Sequence, residues 1–223
     1  MFARLRSSRG TNLFVEILMI VIGINIALWF EGLAEDYQDA ETGRQYLRGL
    51  HDDLAVDVKT LDQITSEIET KLEILQTITP ALGTLMDMSA DEQTQVIFTP
   101  SSYYFFQPAD YTYTAMQESG DFRLLEDPNI KRRILRLVRQ YRFVDELQKN
   151  FIQALDDEYI PIMMRKFDLA SGRVTDPSLT EDQVFLNFFP FTLQDVGTRL
   201  VMLKQARDQA SELMQAIEDH LSI

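Results

Sequence analysis

The 223-residue chain carries a net charge of −14 and 45% hydrophobic residues, enough apolar material for one packed domain and a further segment. So acidic a composition lacks the basic footprint that nucleic acid requires, and no nucleic-acid partner is expected. The absence of cysteine removes disulfides, thiolate nucleophiles, zinc–thiolate sites and iron–sulfur clusters together.

Residues 13–30, LFVEILMIVIGINIALWF, are apolar except for Glu16, Gly23 and Asn25. As a helix they would extend about 27 Å, close to the hydrocarbon thickness of a bilayer. Arg4, Arg6 and Arg9 precede the run with no acid, whereas Glu31, Glu35, Asp36, Asp39 and Glu41 follow it with no base before Arg44. The positive-inside asymmetry places residues 1–12 in the cytoplasm, residues 13–30 across a bacterial inner membrane, and residues 31–223 in the periplasm. Flanking charge and length favour a retained anchor over a cleaved signal peptide or a buried soluble helix. Gly32-Leu33-Ala34 nevertheless has the small-x-small form of a cleavage site. On a helix, Glu16, Ile20, Gly23 and Ala27 fall within about 40° of one line. Gly23 and Ala27 form a small-x-x-x-small pair that allows another helix to approach closely. A carboxylate on that stripe faces either the neighbouring helix or, by snorkelling, the cytoplasmic surface. Asn25, on the opposite face, is a candidate hydrogen-bond donor to a second helix.

The residues Glu16-Ile17, VIGI at 21–24 and IAL at 26–28, followed by Trp29, resemble the opening of an uncharacterised family of bacterial single-pass membrane proteins, a domain of unknown function. The same family has a following helix of the form YL-x2-L-x2-DL, matched by Tyr46-Leu47, Leu50 and Asp53-Leu54. It also has a small SG turn before another long helix, matched by Ser119-Gly120. The resemblance implies the topology and a helical outer domain, and it supplies no activity, ligand or catalytic residue.

From Leu33 to Thr79 there is no proline, and Leu47, Leu54, Leu61, Ile68 and Leu75 recur every seven residues. Leu50, Val58, Ile64, Leu72 and Ile78 fill the companion row. This predicts a long helix ended by Pro80, with homo-oligomerisation through residues 47–78 as one use of its seam. Residues 80–127 read as an insertion of short helices. Ser89 with Glu92 forms a capping box, and Asp110 and Gly120 bound a second short helix. Between them lies FTPSSYYFFQPADYTYT, with seven aromatics and two prolines. Asp127-Pro128 opens a helix expected to run to about Tyr159 before Pro161. A polar loop spans 168–178, Thr180 starts a short piece ending in FLNFFPF, and the last helix is expected over 192–221. Three long helices, each with one apolar face, must cover one another; the expected fold is all-α, an up-down bundle behind a transmembrane helix.

The chain contains no nucleophile elbow, phosphate loop, zinc helix motif, EF-hand or dinucleotide fingerprint, so no enzyme, cofactor or metal is expected. The adjacent acids of His51-Asp52-Asp53 and Asp156-Asp157-Glu158 diverge around a helix and read as solvated faces. Two features remain. Lys131, Arg132, Arg133, Arg136, Arg139 and Arg142 crowd one stretch of an acidic chain. They either pair across helices with acids such as Asp57, Asp62, Glu67 and Glu69 or dock an acidic partner or lipid headgroups. The aromatic segment either plugs one end of the bundle or anchors a protein interface or a contact with the membrane surface. The candidate interface residues are therefore Tyr103, Tyr104, Phe105, Phe106, Tyr111, Arg132, Arg136 and Arg139. Together these features lead us to expect an accessory or assembly subunit bound to integral membrane proteins of a respiratory, photosynthetic or transport complex. The alternative is a periplasmic ligand-sensing domain that signals through a partner.

Overall fold

The structure is a computed structural model that describes the backbone of residues 8–222 and the side chains of residues 16–222. The flanking bases Arg4 and Arg6, and the side chain of Arg9, lie outside that description. Helix α1 runs without interruption from Ser8 to Ile78, 71 residues, so the apolar run and the heptad helix are one rod about 105 Å long. Every residue from Glu16 to Phe30 is exposed, whereas Leu47, Leu50, Leu54, Leu61, Ile68 and Leu75 are buried. The same helix thus changes environment along its length, from an uncovered apolar segment to the spine of a packed domain.

Pro80 turns the chain into a 3-10 segment, Thr79–Asp87, and α2 follows at Ala90–Ser101. The chain then descends α1 in extended form to α3, Tyr111–Ser119, and a 3-10 turn at Asp121–Leu124. The direction is fixed by hydrogen bonds. Asp57 accepts from the Ala109 N–H, Asp53 from the Thr112 N–H, and the Tyr46 hydroxyl donates to Asp121, so positions fall along α1 as they rise along the insertion. Two glycines on α1 allow the close approach. A Cβ at Gly43 would stand 2.7 Å from the Leu124 carbonyl oxygen, and one at Gly49 would stand 2.8 Å from the Thr112 hydroxyl. Helix α4, Pro128–Ala154, climbs again, capped by the Asp127 side chain on the Asn129 N–H at 2.6 Å.

The remainder departs from expectation in two places. Pro161 does not end the α4 region. The chain widens to a π turn over Leu155–Tyr159, in which the Ile160 N–H reaches the Leu155 carbonyl, and α5 continues through Ile160–Lys166. The wider turn accommodates a proline that cannot donate to the carbonyl four residues back. The polar loop then holds a two-residue antiparallel pair, β1 (Phe167–Asp168) with β2 (Arg173–Val174), and a 3-10 turn at Pro177–Glu181. The last helix, α6, begins at Gln183, not at 192, and runs to Leu221. Asp182 caps it by accepting from the Val184 and Phe185 N–H groups. Pro190 sits inside α6 on an exposed side, where its missing N–H is compensated by burial of Phe185, Phe188 and Phe189.

Helix α6 descends along α1 and α4 and fills the heptad seam from within the chain. One core holds Leu47, Leu50, Leu54, Ile130, Ile134, Leu137, Leu213 and Ile217 on the side of the apolar run. A larger one holds Leu61, Ile68, Leu75, Phe151, Tyr159, Phe185 and Phe189 beyond it. The seam of residues 47–78 is therefore covered within the chain by α4, α6 and the insertion. Two of the four acids expected to pair with the basic run are taken by α6. Asp62 pairs with Arg207 at 2.9 Å and Glu69 with Lys204, while Glu67 accepts from Gln63 on its own helix.

Candidate functional site

The extended segment 102–110 has no secondary structure, and its backbone polar groups need partners wherever they are buried. Side chains from the helices supply them. Gln148 on α4 accepts from the Phe106 N–H and donates to the Phe106 carbonyl. Asp57 on α1 accepts from the Ala109 N–H at 2.7 Å and, with its other oxygen, from the Tyr141 hydroxyl at 2.8 Å. At the upper end the Lys71 ammonium donates to the carbonyls of Pro100, at 3.1 Å, and Ser102. These groups are buried, and each is held by the loop it organises.

The electrostatics follow from burial. Asp57 is pushed up from the usual carboxylate range by desolvation, which outweighs its two hydrogen bonds. Lys71 is pulled down to about 7 by burial and then by the nearby Arg199 guanidinium. Arg199 is held by Asp195 at 2.6 Å, and its guanidinium lies 4.8 Å from the ring centres of both Tyr103 and Phe151. Burial also lifts the Asp195 carboxyl, and it lifts the Tyr103 hydroxyl to about 12. Two cations and one carboxylate therefore share an aromatic interior.

The aromatic segment divides between the two uses foreseen for it. Phe106 is buried at 2% exposure, Tyr103 stacks on Phe151, and Tyr104 packs on the larger core; these plug the bundle. Phe105 is 48% exposed and Tyr111 78%, so only these two of the five are available to an outside molecule. Beside them lies an open cavity of about 630 Å³ between the insertion and α4. Its floor is Phe106, Pro108, Val138 and Tyr141, and its rim includes Asp110, Arg142 and Asp145. Gln117 donates to the Tyr113 hydroxyl at its edge. This volume lies within the range of small-molecule and peptide pockets.

The basic run faces outward. Arg133 alone of its six bases forms an ion pair, with Glu212 at 2.9 Å. Lys131 donates to the Arg123 carbonyl and Arg132 to the Asn129 side chain. Arg132, Arg136, Arg139 and Arg142 are exposed, and among the described residues none meets a carboxylate. The cross-helix pairing expected for them is thus absent, apart from Arg133.

On the apolar run, Glu16, Ile20, Gly23, Asn25 and Ala27 are all exposed, and a Cβ at Gly23 would point into open space. Asn25 donates to the Val21 carbonyl of its own helix at 2.7 Å, so its amide does not require a second helix. Sequence reasoning missed Lys71, Gln148 and Arg199, and it took Asp57 for an ion-pair partner of the basic run where the structure gives it the Ala109 N–H and the Tyr141 hydroxyl. The available signal was a buried-face register: Asp57, Ile64, Lys71 and Ile78 lie seven residues apart, in line with apolar neighbours.

Neither a comparison with proteins of curated function nor one with solved structures found a match. Residues 16–193, from the apolar run into the last helix, match a family of unknown function, DUF6090. With four-fifths of its length covered, the chain belongs to that family.

Proposed function

We propose that the protein is a single-pass accessory subunit of the bacterial inner membrane, holding a helical domain in the periplasm where it binds and stabilises a larger membrane complex. One observation carries this reading. The 18-residue apolar window near the N-terminus is wholly unburied, yet it is continuous with the central helix of the domain. An apolar surface of that length has no stable place in water. A rigid helical joint fixes the domain's height and rotation relative to whatever the anchor packs against. That suits bracing better than a flexible tether would. Gly23 and Ala27 offer the packing surface within the bilayer, and the exposed aromatics and arginines offer one outside it.

The test has two arms. Cysteines placed at Ser8 and at Asp208 should label from opposite sides of the membrane, and carbonate washing should leave the protein in the pellet. Extraction in mild detergent should bring down a stoichiometric integral membrane partner. A polypeptide released by carbonate, or one that runs as a lone monomer, defeats the reading. The cavity of about 630 Å³ favours the second reading, a ligand-sensing domain acting through a partner. A lone monomer carrying a bound metabolite would support it.

A further inference from the structure

We infer that the outward face of α4 docks an acidic protein surface, an inference that rests on the partner-binding reading above and names the chemistry of the partner. Arg132, Arg136 and Arg139 lie at helical spacing on one side of α4, with Arg142 at its margin. Leu135, 50% exposed, and Phe143, 44% exposed, are interleaved with them. An apolar pair ringed by guanidinium groups has the composition of an interface centre, where aromatic and arginine side chains are enriched and carry much of the binding energy. The chain has 35 acids against 21 Lys and Arg, yet α6 pairs with α1 and, on the basic run of α4, with Arg133 alone, which leaves these four arginines unmatched among the described residues. In this inference the carboxylates of a partner supply the complementary charge.

The geometry separates a protein from lipid headgroups as that source. Tyr141 meets Asp57, so this level of α4 stands 27 residues along α1 from Phe30, about 40 Å above the apolar run. Arg132 is nine residues lower on α4, about 27 Å above the run. Both heights exceed the headgroup layer plus a Debye length of about 8 Å, and a helix tilt of about 20° shortens them little. A partner that reaches this face must itself rise from the membrane or stand in the periplasm.

The test uses full-length protein in the membranes of its own host, with a photoreactive residue at Leu135, at Phe143 or, separately, at Gly23. We expect both α4 positions to crosslink to one protein other than this chain, within a segment rich in Asp and Glu. The combined variant R132E/R136E/R139E should lower that yield by about tenfold or more, with helicity and the Gly23 crosslink unchanged. The corresponding Arg→Gln set should give an intermediate loss. Crosslinks to lipid, to a second copy of this chain or to a segment without acids overturn the inference, as does a yield indifferent to charge reversal. A Gly23 crosslink that persists while α4 captures nothing sinks this inference alone. Silence at all three positions sinks the proposed function with it.

Discussion

The side-chain amide of Gln148 pairs with both backbone groups of Phe106, accepting from its N–H at 2.8 Å and donating to its carbonyl at 3.0 Å. Both residues are almost fully buried, so water does not compete for those bonds. A strand neighbour would normally supply such a pair; here a helical glutamine does, and the aromatic segment can cross the bundle without a sheet. Gln148→Leu keeps the volume and removes both partners. Each orphaned group costs about 1–3 kcal/mol, so the variant should lose about 2–6 kcal/mol of unfolding free energy. Urea titration in detergent, followed by far-ultraviolet circular dichroism, measures it. Trp29 lies in the apolar run and does not report on the domain.

Gly43 and Gly49 separate helix propensity from packing. In an open helix, Gly→Ala stabilises by about 1 kcal/mol. At Gly43 the new methyl would meet a backbone carbonyl at 2.7 Å, which can move only with the whole 121–124 turn. Gly43→Ala should therefore destabilise by about 1–3 kcal/mol despite its propensity gain. At Gly49 the obstacle is the rotatable Thr112 side chain, so Gly49→Ala should be milder. The double change Gly49→Ala with Thr112→Ser should be milder still. Thermal melts of the three variants, ranked against wild type, decide the matter; an equal effect at both glycines would contradict the close packing of the 121–124 turn on α1.

What could be read from the sequence was local. The Ser89–Glu92 capping box forms in both directions, Asp127 caps α4 ahead of Pro128, and Gly120 takes the left-handed conformation that ends α3. Each depends on residues within four positions of one another. The apolar stripes of α1, α4 and α6 were equally plain, since burial repeats with the helix period. Pro190 misled because proline usually ends a helix, whereas here the three buried phenylalanines hold α6 together across it. The partners of Lys71, Asp57 and Gln148 were illegible for a different reason. Apart from the Tyr141 hydroxyl on Asp57, they are backbone atoms 29–52 positions away along the chain, and a backbone group leaves no mark on residue type. The same holds for the groove beside Phe105, which exists only because the insertion folds back along α1.

Asp57 offers a contrast between charge and hydrogen bonding. Burial raises its folded-state pKa above the unfolded value. The ionised form is therefore disfavoured by folding, and the associated stability is full at low pH and lost as pH rises through the folded value. Asp57→Asn keeps an acceptor for the Ala109 N–H and gains a donor for the Tyr141 oxygen, without a buried charge. We expect it to match or exceed wild type at pH 7 and to lose that advantage below pH 4. Asp57→Ala orphans both Ala109 and Tyr141 and should cost about 2–4 kcal/mol at pH 7. Chemical denaturation at the two pH values distinguishes the pair, and an Asn variant as weak as the Ala variant would show that the negative charge itself is required.

Lys71 gives the opposite sign. Its folded-state value of about 7 lies below its ordinary 10.5, with burial the main cause and Arg199 the second. Between those values the unfolded chain holds a proton that the folded chain has released, so stability rises with pH by at most about 1.4 kcal/mol per unit from this group. Below pH 7 both states are protonated, and the buried charge is sustained by the carbonyls of Pro100 and Ser102. His51 complicates the comparison from below. Its bond to Glu218 raises its folded value above 6.5, so its contribution is present at low pH and fades as pH climbs through that value. The Lys71→Met variant isolates the lysine, because His51 titrates equally in both proteins. The stability difference between wild type and Lys71→Met should move in favour of wild type from pH 7 to pH 9, before the buried tyrosines begin to matter. A difference flat across that interval would mean that the Lys71 ammonium stays charged in the folded protein, with Asp195 and the two carbonyls outweighing burial.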